Sequence, residues 1–131
     1  MRKGPADVGF VPDLLSYACT HAPNHPAVVA GERCFTFAEL DARAHRLARL
    51  FRDWSLEAGD VVALLAKNEP EYFEIHIAAI RAGLVLLPLN CRLAPPELQY
   101  IVNDARPRLL ICGEEFLALA EALQVEHKCH L

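Results

Sequence analysis

The sequence predicts an α/β fold, a partial doubly wound parallel sheet with flanking helices and a small N-terminal hairpin. Three short apolar runs lack the alternation of a half-exposed strand: VVALLA (61–66), LVLL (84–87) and RLLIC (108–112). Such runs are typical of strands buried on both faces, as in parallel sheets. Helical patterns separate the runs, and the stretch 61–89 is close to the ~30 residues of a strand–helix–strand unit.

The first third of the chain predicts a helix, a hairpin and a second, longer helix. VPDLLSYACTHA (11–22) has a helical pattern, and a Gly-Glu turn separates two short strands at 27–31 and 33–37. Thr36 and Glu39 fit a capping box, so the long helix should begin here and run to about residue 53. We expect its apolar stripe to be Leu40, Ala44, Leu47, Ala48 and Phe51, with Asp41, Arg43, Arg46, Arg49 and Arg52 facing water.

The middle of the chain predicts the helix and strand of the central unit. Asn68 and Glu71 fit a second capping box. Gly83 should end the helix with a positive φ, and Pro88 should mark the end of the following strand because it cannot donate a hydrogen bond. We expect Phe73, His76, Ile77 and Ile80 to line one apolar face of this helix.

The last third predicts two more helices around the third strand. Two prolines open a helix over 95–104, where Ala94 holds a capping position better suited to a hydroxyl. A further helix is expected over 114–123, followed by the start of another strand. We expect 1–131 to form a single incomplete domain, with 1–10 flexible.

Composition limits the possible classes of function. The chain has 131 residues, of which 53% are hydrophobic, and a net charge of −4, which argues against disorder and against a nucleic-acid or anionic-membrane surface. No apolar run approaches the ~20 residues of a membrane span, and no signal peptide is evident, so we expect a cytoplasmic protein. An odd number of cysteines without a CxxC pair predicts free, mostly buried thiols: Cys19, Cys34, Cys91, Cys112 and Cys129.

No catalytic or cofactor-binding residue is predicted within this chain. None of the six glycines belongs to a phosphate-binding pattern. Gly113 does follow a strand, but Glu114 and Glu115 come next and would repel an anion at the start of a helix. Neither serine lies in a strand-to-helix turn, so no nucleophile elbow is expected.

No metal site is predicted either. His127, Cys129 and His130 are too close in sequence to close a tetrahedron on one ion, so we expect ordinary strand or surface residues. His76 is expected to be a satisfied core or interface imidazole, and Trp54 is expected to pack in the core.

Two ordered motifs resemble those of a known family. FTFAEL (35–40) resembles the first core motif of the AMP-forming adenylating enzymes, and IRAGLVLLPLN (80–90) resembles their second. This superfamily includes the acyl-CoA synthetases, whose branch is favoured by the Cys-Arg-Leu that follows Asn90. The resemblance implies ATP, magnesium and coenzyme A as cofactors of a full-length parent, and a fatty or aromatic acid rather than an amino acid as substrate.

The family motifs that bind ATP have no counterpart in this chain. The resemblance therefore implies the N-terminal fragment of an ATP-dependent acyl-CoA synthetase of fatty acid metabolism, inactive alone and binding no cofactor by itself. Its partner would be the remainder of the parent enzyme. The alternative is a non-catalytic interaction or oligomerisation module derived from that fold, which would self-associate through exposed apolar surface.

Overall fold

The computed structural model describes residues 11–130, which contain two sheets and five α-helices. The expected flexibility of residues 1–10 lies outside this range. The helices are α1 (Val11–His21), α2 (Phe37–Asp53), α3 (Glu71–Arg81), α4 (Pro95–Ala105) and α5 (Leu117–Ala122), with a 3-10 turn at Glu114–Phe116. The strands are β1 (Pro26–Ala30), β2 (Arg33–Thr36), β3 (Val61–Leu65), β4 (Val85–Pro88), β5 (Leu109–Cys112) and β6 (His127–His130).

The main sheet has four parallel strands in the order β4-β3-β5-β6, and β1 and β2 form a separate antiparallel hairpin. The predicted α/β class, the hairpin and the strand near the end of the chain are therefore confirmed. None of the helices in residues 11–130 combines the length and apolar character that crossing a bilayer requires.

Alternation along β3 divides the core into two layers. Val62 and Leu64 pack under α2 and α3, whereas Ala63 and Leu65 pack under α4 and α5, because successive side chains of a strand point to opposite faces. All four side chains are fully buried. The apolar run of β3 is thus explained by its position between β4 and β5.

The prediction that the run at 84–87 is buried on both faces is wrong. Within the described residues β4 is an outer strand of the sheet, and Val85 is 51% exposed. Leu86 and Leu87 are half-buried. The same kind of apolar run therefore occupies an inner position in β3 and an edge position in β4.

The apolar face of α3 that carries Phe73, His76, Ile77 and Ile80 is not the buried one. Ile75, Ala78 and Ala79 are the buried residues, whereas Phe73 and Ile80 are exposed. Seven of the eleven positions of α3 are apolar and they are spread around the helix, so the pattern alone does not select the buried face. The small side chains of Ala78 and Ala79 allow a close approach to α2 and β3, and this packing decides the orientation.

The start of α3 differs from the prediction as well. Asn68 is not a cap: Pro70 holds the N-cap position, with no side-chain hydrogen bond. Pro70 has helical dihedrals, φ −54° and ψ −33°, which its ring favours at the start of a helix. The chain enters the helix through hydrogen bonds from the Tyr72 and Phe73 amides to the carbonyls of Glu69 and Pro70.

The capping box of α2 is confirmed. Thr36 Oγ1 accepts from the Glu39 amide at 3.3 Å, and the Glu39 carboxylate accepts from the Thr36 amide at 2.8 Å. The hydrogen bonds from the Thr36 amide and hydroxyl lower the pKa of the Glu39 carboxyl. Helix α4 has only half of a capping box. The Glu97 carboxylate accepts a hydrogen bond from the Ala94 amide at 2.8 Å, but Ala94 has no hydroxyl that could accept one in return.

Two of the five charged residues of α2 that were expected to face water instead pair with other elements, whereas the other three arginines of the helix are exposed as predicted. Arg43 forms an ion pair with Glu74 of α3, and Arg33 of the hairpin pairs with Glu71. The Phe35 ring lies within cation–π distance of both guanidinium groups, 5.3 Å from Arg33 and 4.9 Å from Arg43. We call Arg33, Phe35, Arg43, Glu71 and Glu74 the hairpin clasp, since they fasten β2 to α2 and α3.

A second ion pair also corrects the expectation for α2. Asp41 pairs with Arg81 at the end of α3, and the Arg81 guanidinium lies 3.0 Å from His45 Nδ1. The sequence pattern predicted that Asp41 faces water because the pattern of one helix does not reveal which helix packs beside it.

Replacing Gly83 with alanine should destabilise the fold by about 2 kcal/mol or more. Gly83 has φ +73°, and an added Cβ would lie 3.2 Å from the Ala58 Cβ, so strain and crowding add. Gly31 is the matched control, since it has φ +60° with nothing within 4 Å of an added Cβ, and Gly31→Ala should cost only about 1 kcal/mol. Urea denaturation measures the free energy of unfolding of both variants. Equal losses of stability in the two variants would contradict the packing argument.

Replacing Thr36 with alanine should lower the free energy of unfolding by ~1 kcal/mol, because the first turn of α2 loses a hydrogen-bond acceptor. Thr20→Ala is the control, since the exposed Thr20 hydroxyl only donates to the Ser16 carbonyl within α1. The control should change stability by less than about 0.5 kcal/mol. A Thr36→Ser variant should keep most of the wild-type stability.

The hairpin clasp should make stability depend on acid pH. Burial alone would raise the pKa of the Glu71 carboxyl, but the hydrogen bond from Arg33, with the charges of Arg33 and Arg43, lowers it below 4.5. A pKa that is lower in the folded chain means stabilisation above about pH 4.5, lost as the pH falls through the folded-state pKa.

Glu71→Gln should therefore flatten the fall of the unfolding free energy between about pH 5 and pH 3. The measurement is a series of denaturant titrations across this range. Glu32→Gln, which removes an exposed carboxylate from the hairpin turn, is the control and should keep the wild-type curve. An unchanged slope in Glu71→Gln would contradict the role of the clasp.

Candidate functional site at the carboxyl edge of the sheet

The carboxyl ends of β3, β4 and β5 form the edge at which doubly wound sheets usually bind ligands. The three strands end side by side: the Gly113 amide donates to the Leu65 carbonyl at 3.0 Å, and the Leu89 amide donates to the Leu64 carbonyl at 2.8 Å. The polar groups that follow these strands are Lys67, Asn68, Asn90, Arg92, Glu114 and Glu115.

The loop after β4 uses its polar side chain to close a turn. The Asn90 side-chain oxygen accepts a hydrogen bond from the Arg92 amide at 3.0 Å, an Asx turn. Asn90 therefore directs the chain away from the sheet toward α4. The geometry gives it a structural role.

The loop after β5 presents negative charge where a phosphate would need donors. An added Cβ at Gly113 would lie 2.9 Å from Glu115 Oε2, so the Glu115 carboxylate occupies the space over the Gly113 backbone. The Lys67 ammonium lies 3.6 Å from the other oxygen of this carboxylate, in an exposed ion pair. The helix that follows starts as a 3-10 turn with Glu114 and Glu115 in its first positions. These residues do not fit the phosphates of ATP or of coenzyme A.

No group of three or more histidine, cysteine, aspartate or glutamate residues converges on a metal position within residues 11–130. His127 and Cys129 lie in β6, where the His127 imidazole is 3.3 Å from Glu126 and Cys129 packs against the core. The described residues therefore do not fit a magnesium or zinc site.

His76 is half-buried on α3, as expected for an interface imidazole. Its Nδ1 lies 3.0 Å from the Tyr72 carbonyl, and the two rings stack with centroids 5.2 Å apart. Its Nδ1 is therefore engaged within its own helix.

The five cysteines are free, as expected, but the prediction that most are buried is wrong. Only Cys112 is fully buried, and Cys34 is exposed on the hairpin. The other three are half-buried because they lie at the margins of the core clusters. Burial raises the pKa of the Cys19, Cys112 and Cys129 thiols, which keeps them protonated and poor nucleophiles at neutral pH.

Two open grooves were not predicted from the sequence. The first, which we call the Trp54 groove, has a volume of about 350 Å³ and is lined by Trp54, Leu56, Leu109, His127, Lys128 and Cys129. Trp54 is 40% exposed, so its predicted place in the core is wrong: it stands just past the end of α2, where the apolar stripe meets the surface. The second groove, about 390 Å³, lies between β1 and the start of α3 and includes Val29, Pro70 and Phe73.

Comparison with known proteins connects this fold to carboxylate-activating enzymes. Residues 15–130 match the family described as AMP-binding enzyme. A feruloyl-CoA synthase from Amycolatopsis sp. is 39% identical over 102 residues, which are 78% of this chain and 21% of that protein. A fatty acid–[acyl-carrier-protein] ligase from Streptomyces coeruleorubidus is 35% identical over 108 residues, covering 82% of this chain and 21% of that protein.

Solved structures agree with the sequence comparison. An anthranilate CoA ligase in complex with anthranoyl-AMP superposes with a TM-score of 0.86 at 27% identity, covering 92% of this chain and 24% of that one. The inhibitor-bound N-terminal domain of FACL13 from Mycobacterium tuberculosis gives 0.85 at 28% identity, with 92% of this chain and 33% of that one covered. The chain thus spans about a fifth of the length of these curated relatives. With the family match extending over nearly all of its described residues, the chain belongs to the AMP-binding enzyme family.

Proposed function

We propose that this chain is the N-terminal framework of an ATP-dependent acyl-CoA synthetase, as a single incomplete domain without catalytic, cofactor-binding or metal-binding residues of its own. In the parent reaction a carboxylate oxygen attacks the α-phosphorus of ATP and releases pyrophosphate. The sulfur of coenzyme A then attacks the acyl carbonyl and releases AMP. The place of action would be the cytoplasm.

The observation that carries this proposal is the carboxyl edge of the sheet. Attack on the α-phosphate requires cations or magnesium placed around a transition state of high charge density. The Lys67 ammonium is already paired with Glu115, and Glu114 and Glu115 add negative charge where the phosphates would lie. The edge supports a framework role, and we expect the chain to be inactive alone.

The names of the relatives support a class of acid. They act on a fatty acid, on 3-hydroxybenzoate and on ferulate, and one solved relative holds anthranoyl-AMP. One solved relative is instead in complex with 3-methylaspartate, an amino acid. On the names of the curated relatives we propose that the parent enzyme activates a fatty or aromatic acid rather than an amino acid.

The test is ATP–pyrophosphate exchange by the pure 131-residue chain with a panel of fatty, aromatic and amino acids. We expect exchange no higher than the blank, with the Amycolatopsis feruloyl-CoA synthase and ferulate as the positive control. Acid-dependent exchange by the chain alone would contradict the proposal.

A chimera tests the framework role directly. Residues 15–130 replace the matched segment of the feruloyl-CoA synthase, and a folded chimera should retain ferulate-dependent exchange. Leu64→Asp in the chimera, which puts a charge into a fully buried position, should abolish it. A chimera that melts cooperatively but has no exchange activity would contradict the framework role.

The alternative, an interaction or oligomerisation module, is favoured by large apolar side chains at the surface. Phe73 is 57% exposed and Tyr100 is 74% exposed, and Val29 and Val85 are also exposed. This alternative predicts a stable oligomer of the 131-residue chain in sedimentation, and a chimera without exchange activity.

A further inference from the structure

Three histidines on the helices share one local geometry. His21, His45 and His76 each place Nδ1 near the backbone carbonyl four residues earlier, at 2.8 Å, 3.0 Å and 3.0 Å. A neutral imidazole carries its proton on only one nitrogen, so it donates to this carbonyl only if that nitrogen is Nδ1. Within residues 11–130 the carbonyl is the hydrogen-bond partner of Nδ1 in His21 and His76, and both neutral rings should therefore hold the proton there.

His45 differs because a second helix brings a donor to the same nitrogen. Its Nδ1 lies 3.0 Å from a guanidinium nitrogen of Arg81 on α3, and 3.3 Å from the Asp41 carboxylate as well as 3.0 Å from the Asp41 carbonyl. A guanidinium only donates hydrogen bonds, and carbonyl and carboxylate oxygens only accept them. The two sets of partners exclude each other: Arg81 requires a bare Nδ1, and Asp41 requires a protonated one.

Arg81 is held in place whether or not His45 is charged. Its side chain is only 12% exposed, and its guanidinium forms an ion pair with the Asp41 carboxylate. The same guanidinium lies 3.3 Å from the Asp41 carbonyl, which therefore has a donor without help from His45. A neutral His45 with its proton on Nδ1 would point a donor at a donor. Its proton should instead lie on Nε2, the opposite tautomer to that of His21 and His76.

Other ionisable groups of the packed helices are engaged elsewhere in the described part of the chain. The Cys19 thiol of α1 donates to the Phe37 carbonyl at 3.2 Å, and burial and the Asp41 carboxylate raise its pKa, so it stays uncharged at neutral pH. The remaining charged groups are the acidic residues of α3, paired with Arg33 and Arg43, and two exposed arginines of α2: Glu71, Glu74, Arg46 and Arg49.

We propose that His45 is a proton-operated switch in the contact between α2 and α3. In the neutral ring, the Nδ1 lone pair accepts a hydrogen bond from Arg81. When the ring takes a proton from water, that lone pair forms the Nδ1–H bond, which donates to Asp41, and Arg81 loses the imidazole as an acceptor.

The switch acts at the point where the chain leaves α3 for β4. Arg81 lies in the last turn of α3, two residues before Gly83. Histidine side chains change charge between about pH 5 and pH 8, so the exchange of partners falls in this range. The inference goes beyond the proposed framework role and does not depend on it.

Imidazole NMR of the 15N-labelled 131-residue chain tests the switch, because the 15N shift of a ring nitrogen reports whether it carries a proton. At about pH 8 we expect a bare Nδ1 in His45 and a protonated Nδ1 in His21 and His76. Toward about pH 5, His45 should gain a proton at Nδ1 and the guanidinium resonances of Arg81 should shift with the same midpoint. The guanidinium of Arg43, paired with Glu74, is the control and should not follow this midpoint.

Two variants give the matched comparison. Arg81→Met removes the donor, so neutral His45 should move its proton to Nδ1 and resemble His76. Arg43→Met removes another ion-pairing arginine from the same pair of helices and should leave the proton of His45 on Nε2. Thermal melting checks that each variant is folded. If Arg81→Met is unfolded, the tautomers of the wild-type chain decide.

Three results would overturn the inference. They are a neutral His45 with its proton on Nδ1 in the wild-type chain, an unchanged tautomer in a folded Arg81→Met variant, and Arg81 resonances that do not follow the titration of His45.

Discussion

The structure depends on the complete burial of β3. Val62, Ala63, Leu64 and Leu65 expose no surface, which requires a strand on each side and a helical layer on each face. The sequence between the strands meets this requirement: α3 returns the chain on one face, and α4 returns it on the other. Gly83 makes the first return possible, because its positive φ ends α3 close to Ala58.

The same requirement is not met at the margins of the sheet. Within residues 11–130, β4 and β6 each pair on one side, Val85 is half-exposed, and the core opens beside Trp54. The polar groups at the margins are largely engaged in ion pairs and turns rather than aimed at a ligand. The open sheet margins and the engaged polar groups both follow if these residues are framework for a larger domain. Neither feature supports a self-contained active site.

Local signals in the sequence predicted local structure well. The structure confirms the capping box at Thr36 and Glu39, the stop at Gly83 and the assignment of the apolar runs to strands. It does not confirm the capping box at Asn68 or the burial of the run at 84–87 on both faces. Glu114 and Glu115 follow Gly113 directly in the sequence, and the structure places both in the 3-10 turn that follows β5.

Features decided by distant parts of the chain were not predictable. The inward face of α3 depends on which apolar side meets α2, and the ion pairs of Asp41 and Arg43 depend on α3 lying beside α2. Trp54 was expected in the core because the apolar stripe of α2 leads to it, but the strand beside it is the last of the described sheet.

The most direct test of the account is a titration of magnesium–ATP into the 15N-labelled 131-residue chain, followed by amide chemical shifts. The account predicts that the amides of Lys67, Asn90 and Gly113 do not move in a saturable way, because this edge offers a phosphate carboxylates rather than free donors. Saturable chemical-shift changes centred on these three amides would mean that the chain itself binds the nucleotide, and would contradict the framework role.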